Sequence, residues 1–136
     1  MGHYEKHEAA CQQIRKANES LLIDFAASLK ASGLSQKTID KHVDNINLYV
    51  NEFLLYEDEV EAAEGAHRVS MFLGYWFIRK AMWSSQASIK SNAASIKKFY
   101  RFMVEAGKVN SDALADLSET IKEEMPDWLE AVRRYG

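Results

Sequence analysis

A chain of 136 residues, 47% hydrophobic with one proline and one cysteine, is long enough to bury about two thirds of its unfolded surface and to fold as a single domain, residues 1–136. The lone Cys11 excludes a disulfide framework and fits a reducing compartment. The opening "MGHYEKHEAACQQIRK" lacks the apolar segment of a signal peptide, and the most apolar run, Val69 to Ile78, is far shorter than the roughly 20 residues of a membrane span. A soluble, cytoplasmic protein with no membrane partner is expected. The net charge of −3 conceals strong patterning: residues 1–50 carry six bases and six acids, 51–66 six acids and no base, 67–111 eight bases against Glu105 alone, and 112–136 three bases against seven acids. A basic middle with acidic flanks admits a nucleic-acid partner despite the acidic total.

Periodicity predicts helix almost throughout, and no run of β-branched residues alternates with polar ones. The first helical region covers roughly 4–31, with Leu22, Phe25, Ala26 and Leu29 on one face and Gly33 as its stop. Residues 3–17 either continue that helix or form a separate turn ending near Asn18. A second helix is written in "GLSQKTIDKHVDNINLYVNEFL", residues 33–54. Ser35 is its N-cap, Leu34 can staple onto Ile39, and Ile39, Val43, Ile46, Val50, Phe53 and Leu54 form its apolar stripe. "YEDEVEAAEGAH" follows as an acidic connection ending at Gly65.

A third helix, about 67–83, has Val69, Phe72, Leu73, Trp76 and Phe77 at core spacing. Met71, Tyr75 and Ile78 lie off that stripe, which makes it a central helix or partly a docking surface. The fourth begins at Ser84 or Ser85 and ends at Gly107. The fifth starts from a Ser111/Asp112 cap, carries Leu114, Leu117 and Ile121, and is expected to break at Pro126, leaving "DWLEAVRRY" as a short last helix. The fold class is therefore all-α, a single bundle of five or six helices.

The fourth helix partly repeats the second. Laying Ser35 on Ser85 also matches Gln36 with Gln86, Thr38 with Ser88, Ile39 with Ile89 and Ile46 with Ile96. The first copy is neutral to acidic and the second basic. A helix ending in glycine, then this 33–54 stretch, then a hairpin leading to "SIKSNAASIKKFYRFMVEAGKV", resembles the N-terminal SAM-like, core-binding domain of tyrosine recombinases and phage integrases. The resemblance covers about residues 18–110 and rests on Gly33, Leu34, Ser35 and Thr38 before the second helix, and on the aromatic-rich Lys98, Phe99, Tyr100 and Phe102 in the fourth. It implies a module that grips one side of duplex DNA while a separate catalytic domain grips the other, with two similar hairpins presenting two helices to one duplex.

Catalysis is not expected of this chain. The resembled enzymes cut DNA with a tyrosine supported by arginines, a lysine and histidines, one piece being His-x-x-Arg, and none of His3, His7, His42 or His67 has Arg three residues on. Tyr135 lacks activating partners in the sequence and is expected to pack on Trp128 or Val132. The chain reads as a stand-alone module or as a fragment of a longer recombinase, with acidic C-terminal helices over 111–136.

The candidate DNA contacts are cations, since phosphate neutralisation supplies non-specific affinity. At about 100° per residue, Lys90, Lys97, Arg101 and Lys108 fall within roughly 40° of one another, a quarter-turn from the core line of Ile89, Ala93, Ile96 and Tyr100. Lys98 belongs to the same basic segment. Ala94 beside the stripe leaves room for a backbone, and Ser91, Asn92 and Ser95 are expected as exposed donors. On the second helix the corresponding stripe is Asp40, Asn47 and Asn51 with Asp44 close by. Its Lys37, Thr38 and Lys41 reach DNA only from the helix N-terminus.

Two other readings stand beside DNA binding. A protein-interaction module, docking on recombinase subunits or on its own copy, fits the off-stripe aromatics and the acidic C-terminus. A metal site fits His3, His7 and Cys11 at i, i+4, i+8 with Glu8 nearby. No Gly-rich phosphate loop, C-x-x-C or H-E-x-x-H occurs, so no cofactor, resident metal or small-molecule substrate is expected.

Overall fold

A computed structural model describes residues 2–135. Among them there is no strand: five helices account for most of the chain. Clustering of contacts separates two compact units, Met1–Gly65 and Ala66–Gly136. Each holds one copy of the repeated helix.

In the first unit, α1 runs unbroken over His3–Ala31, so residues 3–17 continue the helix. Its buried positions are Cys11, Asn18, Phe25 and Leu29, and the first three recur every seven residues, the seam of a helix laid nearly parallel to its neighbour. α1 ends in a Schellman turn. Gly33 takes φ +89, its N–H donates to the Lys30 carbonyl at 3.0 Å and that of Leu34 to the Leu29 carbonyl at 3.3 Å. α2, Gln36–Asn47, opens on Ser35, whose side chain accepts from the Thr38 N–H, and continues through a π-helical turn, Leu48–Phe53.

The π turn changes which residues face inward. Ile39, Ile46 and Val50 are buried as the apolar spacing requires, but so are Tyr49, Leu54 and Leu55, a set too wide for one α-helical stripe. Val43 and Phe53, expected in the core, are half-buried. The last carbonyls of this helix lack partners in their own segment, and α1 supplies them. Asn18 Nδ2 donates to the Val50 carbonyl at 3.3 Å and to Asn51 Oδ1 at 2.8 Å, and Arg15 donates twice to the Asn51 carbonyl. Tyr49 keeps its hydroxyl satisfied by donating to the Gly65 carbonyl at 2.6 Å.

In the second unit, α3 is continuous over 66–80 but mixed in pitch: a 3-10 turn at Ala66–Arg68, α-helix at Val69–Met71, a π turn at Phe72–Trp76 and α-helix at Phe77–Lys80. Val69, Phe72, Leu73 and Phe77 are buried as expected. Ile78, expected off the stripe, is also buried, because the π turn widens the inward arc. Met71 and Tyr75 remain outside, 57% and 53% exposed.

α4, Gln86–Glu105, starts at a full capping box. Ser85 Oγ accepts from the Ser88 N–H at 3.1 Å, and the Ser85 N–H donates to Ser88 Oγ at 2.8 Å. It closes on a second Schellman turn at Gly107, φ +73, with the Lys108 N–H on the Met103 carbonyl at 2.9 Å. The copied positions share their burial: Ile39 and Ile89, Asn45 and Ser95, Ile46 and Ile96, Tyr49 and Phe99, Val50 and Tyr100 are all buried.

α5 is a single helix, Ser111–Tyr135, and this corrects two expectations. Its N-cap is Asn110, whose Oδ1 accepts from the Asp112 N–H at 2.7 Å, rather than Ser111 or Asp112. Pro126 lies inside the helix without ending it. Proline removes the hydrogen bond to the carbonyl four residues earlier, here that of Lys122, and both Lys122 and Pro126 are on the exposed side. On the other side Leu117, Trp128 and Val132 are buried at helical spacing, and Trp128 lies against Gly74 of α3. Packing across the proline outweighs its local cost of about 3 kcal/mol.

Candidate nucleic-acid interface

α4 has little surface left. Ile89, Asn92, Ala93, Ser95, Ile96, Phe99, Tyr100 and Met103 are all buried, and burial of Tyr100 pushes its phenol far above the ordinary range. What remains outward is a strip that carries the helix's four cations together with Gln86, Ala87 and Glu105. Lys90 and Arg101 are exposed, Lys97 and Lys98 half-buried, and exposed Ala94 lies beside them. No Asp or Glu occurs anywhere from Ala66 to Val104. A solvated amphipathic helix ordinarily mixes both signs on its outer face. Here one acid, exposed Glu105 in the last turn, stands against four cations.

Three sequence expectations about the strip are corrected. Lys108 is off the helix, which ends at Glu105 and turns at Gly107; extrapolating the helical angle past that turn placed it wrongly. Asn92 and Ser95 are not exposed donors: they are 2% and 0% exposed and donate to the carbonyls of Ser88 and Ser91 one turn back. Lys97 is not fully outward. It lines a groove with Ser118, Glu119, Ile121, Lys122 and Glu123 of α5, so two carboxylates of the same chain border the basic strip there.

The first-unit candidates sit on a different kind of surface. Lys37, Thr38 and Lys41 are exposed at the start of α2, where Thr38 also hydrogen-bonds the Ser35 hydroxyl at 3.0 Å. Gln36 donates to Asp40 at 2.8 Å. Asn47 and Asn51, placed by periodicity on an open stripe, are engaged in a chain of amides: Asn51 Nδ2 donates to Asn47 Oδ1 at 2.7 Å while Asn51 Oδ1 accepts from Asn18. α2 presents two lysines at its tip, and the π turn at its other end is bound to α1.

The histidine–cysteine reading takes another form. Cys11 is buried, and His7 Nε2 lies 3.5 Å from its sulfur while His7 Nδ1 lies 3.2 Å from Glu59 Oε2. Burial pushes the Cys11 thiol up, against the opposing pull of Arg15. Among the described residues no group of three or more His, Cys, Asp and Glu side chains is placed to hold a metal ion, and His3 is exposed. Tyr135, expected to pack on Trp128 or Val132, is 57% exposed with the Arg79 guanidinium 5.3 Å from its ring. Among the described residues no helix is long and apolar enough to cross a membrane. No family model, curated protein or solved structure matches the chain.

Proposed function

We propose that the chain is a non-catalytic module that grips duplex DNA by laying the outer strip of α4 along a phosphate backbone, in the manner of the recombinase core-binding domain it resembles. The observation that carries this reading is that the outer side of a helix with a fully buried opposite face bears Lys90, Lys97, Lys98 and Arg101 against a single acid, Glu105, in its last turn. Four phosphate contacts imply a log–log salt slope of about −3 to −4, with isolated binding no tighter than about micromolar at physiological salt. Such weakness suits half of a clamp. Lys37, Thr38 and Lys41 are auxiliary contacts at the tip of α2, and Lys108 is an outlying one past the α4 turn.

Duplex titrations at several salt concentrations test the proposal. Reversing the two exposed cations, Lys90→Glu with Arg101→Glu, should abolish binding at low salt while circular dichroism stays unchanged. Undiminished affinity in that variant would refute the role of the strip. Neither the parent nor Tyr135→Phe should nick supercoiled DNA or form a covalent adduct. A second reading, a module that docks on recombinase subunits or on its own copy, draws on Met71, Tyr75, Met82 and Trp83, all more than half exposed. A shift in size with concentration, without any duplex binding, would favour it.

A further inference from the structure

Duplex binding through α4 leaves one outward face of α3 unexplained. The Arg79 guanidinium carbon stands 3.9 Å over the centre of the Tyr75 ring and 5.3 Å from that of Tyr135, in the last turn of α5. Arg79 Nη1 also donates to the Tyr75 carbonyl at 3.3 Å, so one cation fixed to the backbone reaches two rings. Both rings stay open to solvent, 53% and 57% exposed. Just past α3, Trp83 is 63% exposed and is held edge-on to Phe77 at 6.2 Å. The surrounding charge is positive: Lys80 follows Arg79, and Arg133 and Arg134 share the single carboxylate of Glu130 at 2.6 and 3.0 Å, leaving that trio with one net positive charge.

We infer that Tyr75, Arg79 and Tyr135 form a binding surface for single-stranded nucleic acid. The tyrosine faces stack bases, and the cations neutralise the adjoining phosphates. Ring faces accept any base, which makes such contacts tolerant of sequence, and the shared guanidinium keeps both rings oriented before a ligand arrives. A duplex cannot use this surface in the same way, because its base faces are already stacked. The inference concerns residues outside α4 and stands apart from the duplex strip.

The probes are a twelve-residue oligothymidylate, an abasic oligonucleotide with the same number of phosphates, and a duplex of the same length. The thymidylate should bind the full chain at least about tenfold more tightly than the abasic strand, given the stacking expected per base. Tyr75→Ala with Tyr135→Ala should remove that difference, whereas Tyr75→Phe with Tyr135→Phe should keep it. Duplex affinity should be unchanged in both variants, while Lys90→Glu with Arg101→Glu should lower duplex affinity and leave the thymidylate preference intact. Equal binding of thymidylate and abasic strands would reduce the surface to a cation cluster and overturn the inference. So would a parent dimer that becomes monomeric in the Tyr75→Ala, Tyr135→Ala variant, since the rings would then be an interface between copies.

Discussion

At Gly74 the side chain of Trp128 from α5 lies against α3, and adding one methyl group there measures how tightly that contact is set. A Cβ built on Gly74 would lie 3.1 Å from Trp128 Cδ1 and 3.2 Å from its Nε1, several tenths of an ångström inside the roughly 3.5–4.0 Å optimum for such atoms. Replacing glycine by alanine in a helix ordinarily stabilises by up to about 1 kcal/mol, while forcing a methyl into a filled contact costs about 1–3 kcal/mol. Trp128 is only 3% exposed, and its neighbour Leu129 is fastened by Gln86 Nε2 at 3.2 Å, so the ring has little room to withdraw. The steric cost should win: Gly74→Ala should lose about 1 kcal/mol, a fall of about 3–6 °C in thermal midpoint for a chain of this size. In a Trp128→Phe background the smaller ring can back away, and Gly74→Ala should become neutral or stabilising, giving a coupling of about 1 kcal/mol. Thermal and urea unfolding of the four proteins supply the cycle. A higher midpoint for Gly74→Ala alone, or no coupling to Trp128, would refute this account of the contact.

Asn92 Oδ1 is buried and accepts no hydrogen bond while its Nδ2 serves the Ser88 carbonyl; Asn92→Leu keeps the branched shape, loses the orphaned oxygen and should raise stability by about 1 kcal/mol in urea unfolding. Glu119→Gln with Glu123→Gln removes the carboxylates beside Lys97, so duplex affinity should rise several-fold at low salt and converge with the parent at high salt; an unchanged affinity would mean those acids do not oppose the strip. Hydrogen bonds from Arg133 and then Arg134 hold the Glu130 carboxyl down at about 2. Because its folded value is depressed, its contribution is present above the ordinary value of about 4.5 and is lost as pH falls towards 2. A carboxyl-carbon titration should place its midpoint near the lower figure, and one near 4.5 would remove the interaction.

The parts of this fold legible in the sequence are those that a short stretch decides by itself. Ser35 and Ser85 cap because a hydroxyl reaches its own helix's third N–H, and Gly33 and Gly107 stop because only glycine enters the left-handed region cheaply. The apolar faces of α2 and α4 followed from period alone. Burial of Asn18 does not, because its carbonyl partner lies on another helix, nor does that of Asn92 and Ser95, whose donors are satisfied one turn back in a way any helical position allows. An α-helical period leaves Ile78 and Tyr49 outside the core, because the π turns alter that period within their segments. Pro126 was over-read, since a breaker acts locally and Trp128 packs from a distance. The basic strip is legible as charge, but its extent is not: that Lys90 and Arg101 stay exposed while Lys97 and Lys98 are half-buried depends on neighbours folded around the helix.

The π turn at Leu48–Phe53 also changes how the two copies should be superposed. Up to Val50 and Tyr100 the correspondence runs at a constant difference of 50 in residue number, and both partners are buried at five positions, with His42 and Val43 half-buried where Asn92 and Ala93 are buried. Beyond it the pairing fails: Phe53 is half-buried where Met103 is buried, and Leu54 is buried where Val104 is half-buried. A π turn is an α-helical turn holding one extra residue. Moving to a difference of 49 past that point sets Leu54 on Met103, 2% and 0% exposed. The first copy thus carries a one-residue insertion relative to the second, absorbed in place by the wider turn. A deletion within 48–53 is accordingly the single-residue loss that α2 is built to tolerate, at the cost of the arc that lets both Leu54 and Leu55 point inward. The same deletion in α4, which has no such slack, would rotate every later side chain of that helix by about 100° and carry Arg101 out of line with Lys90.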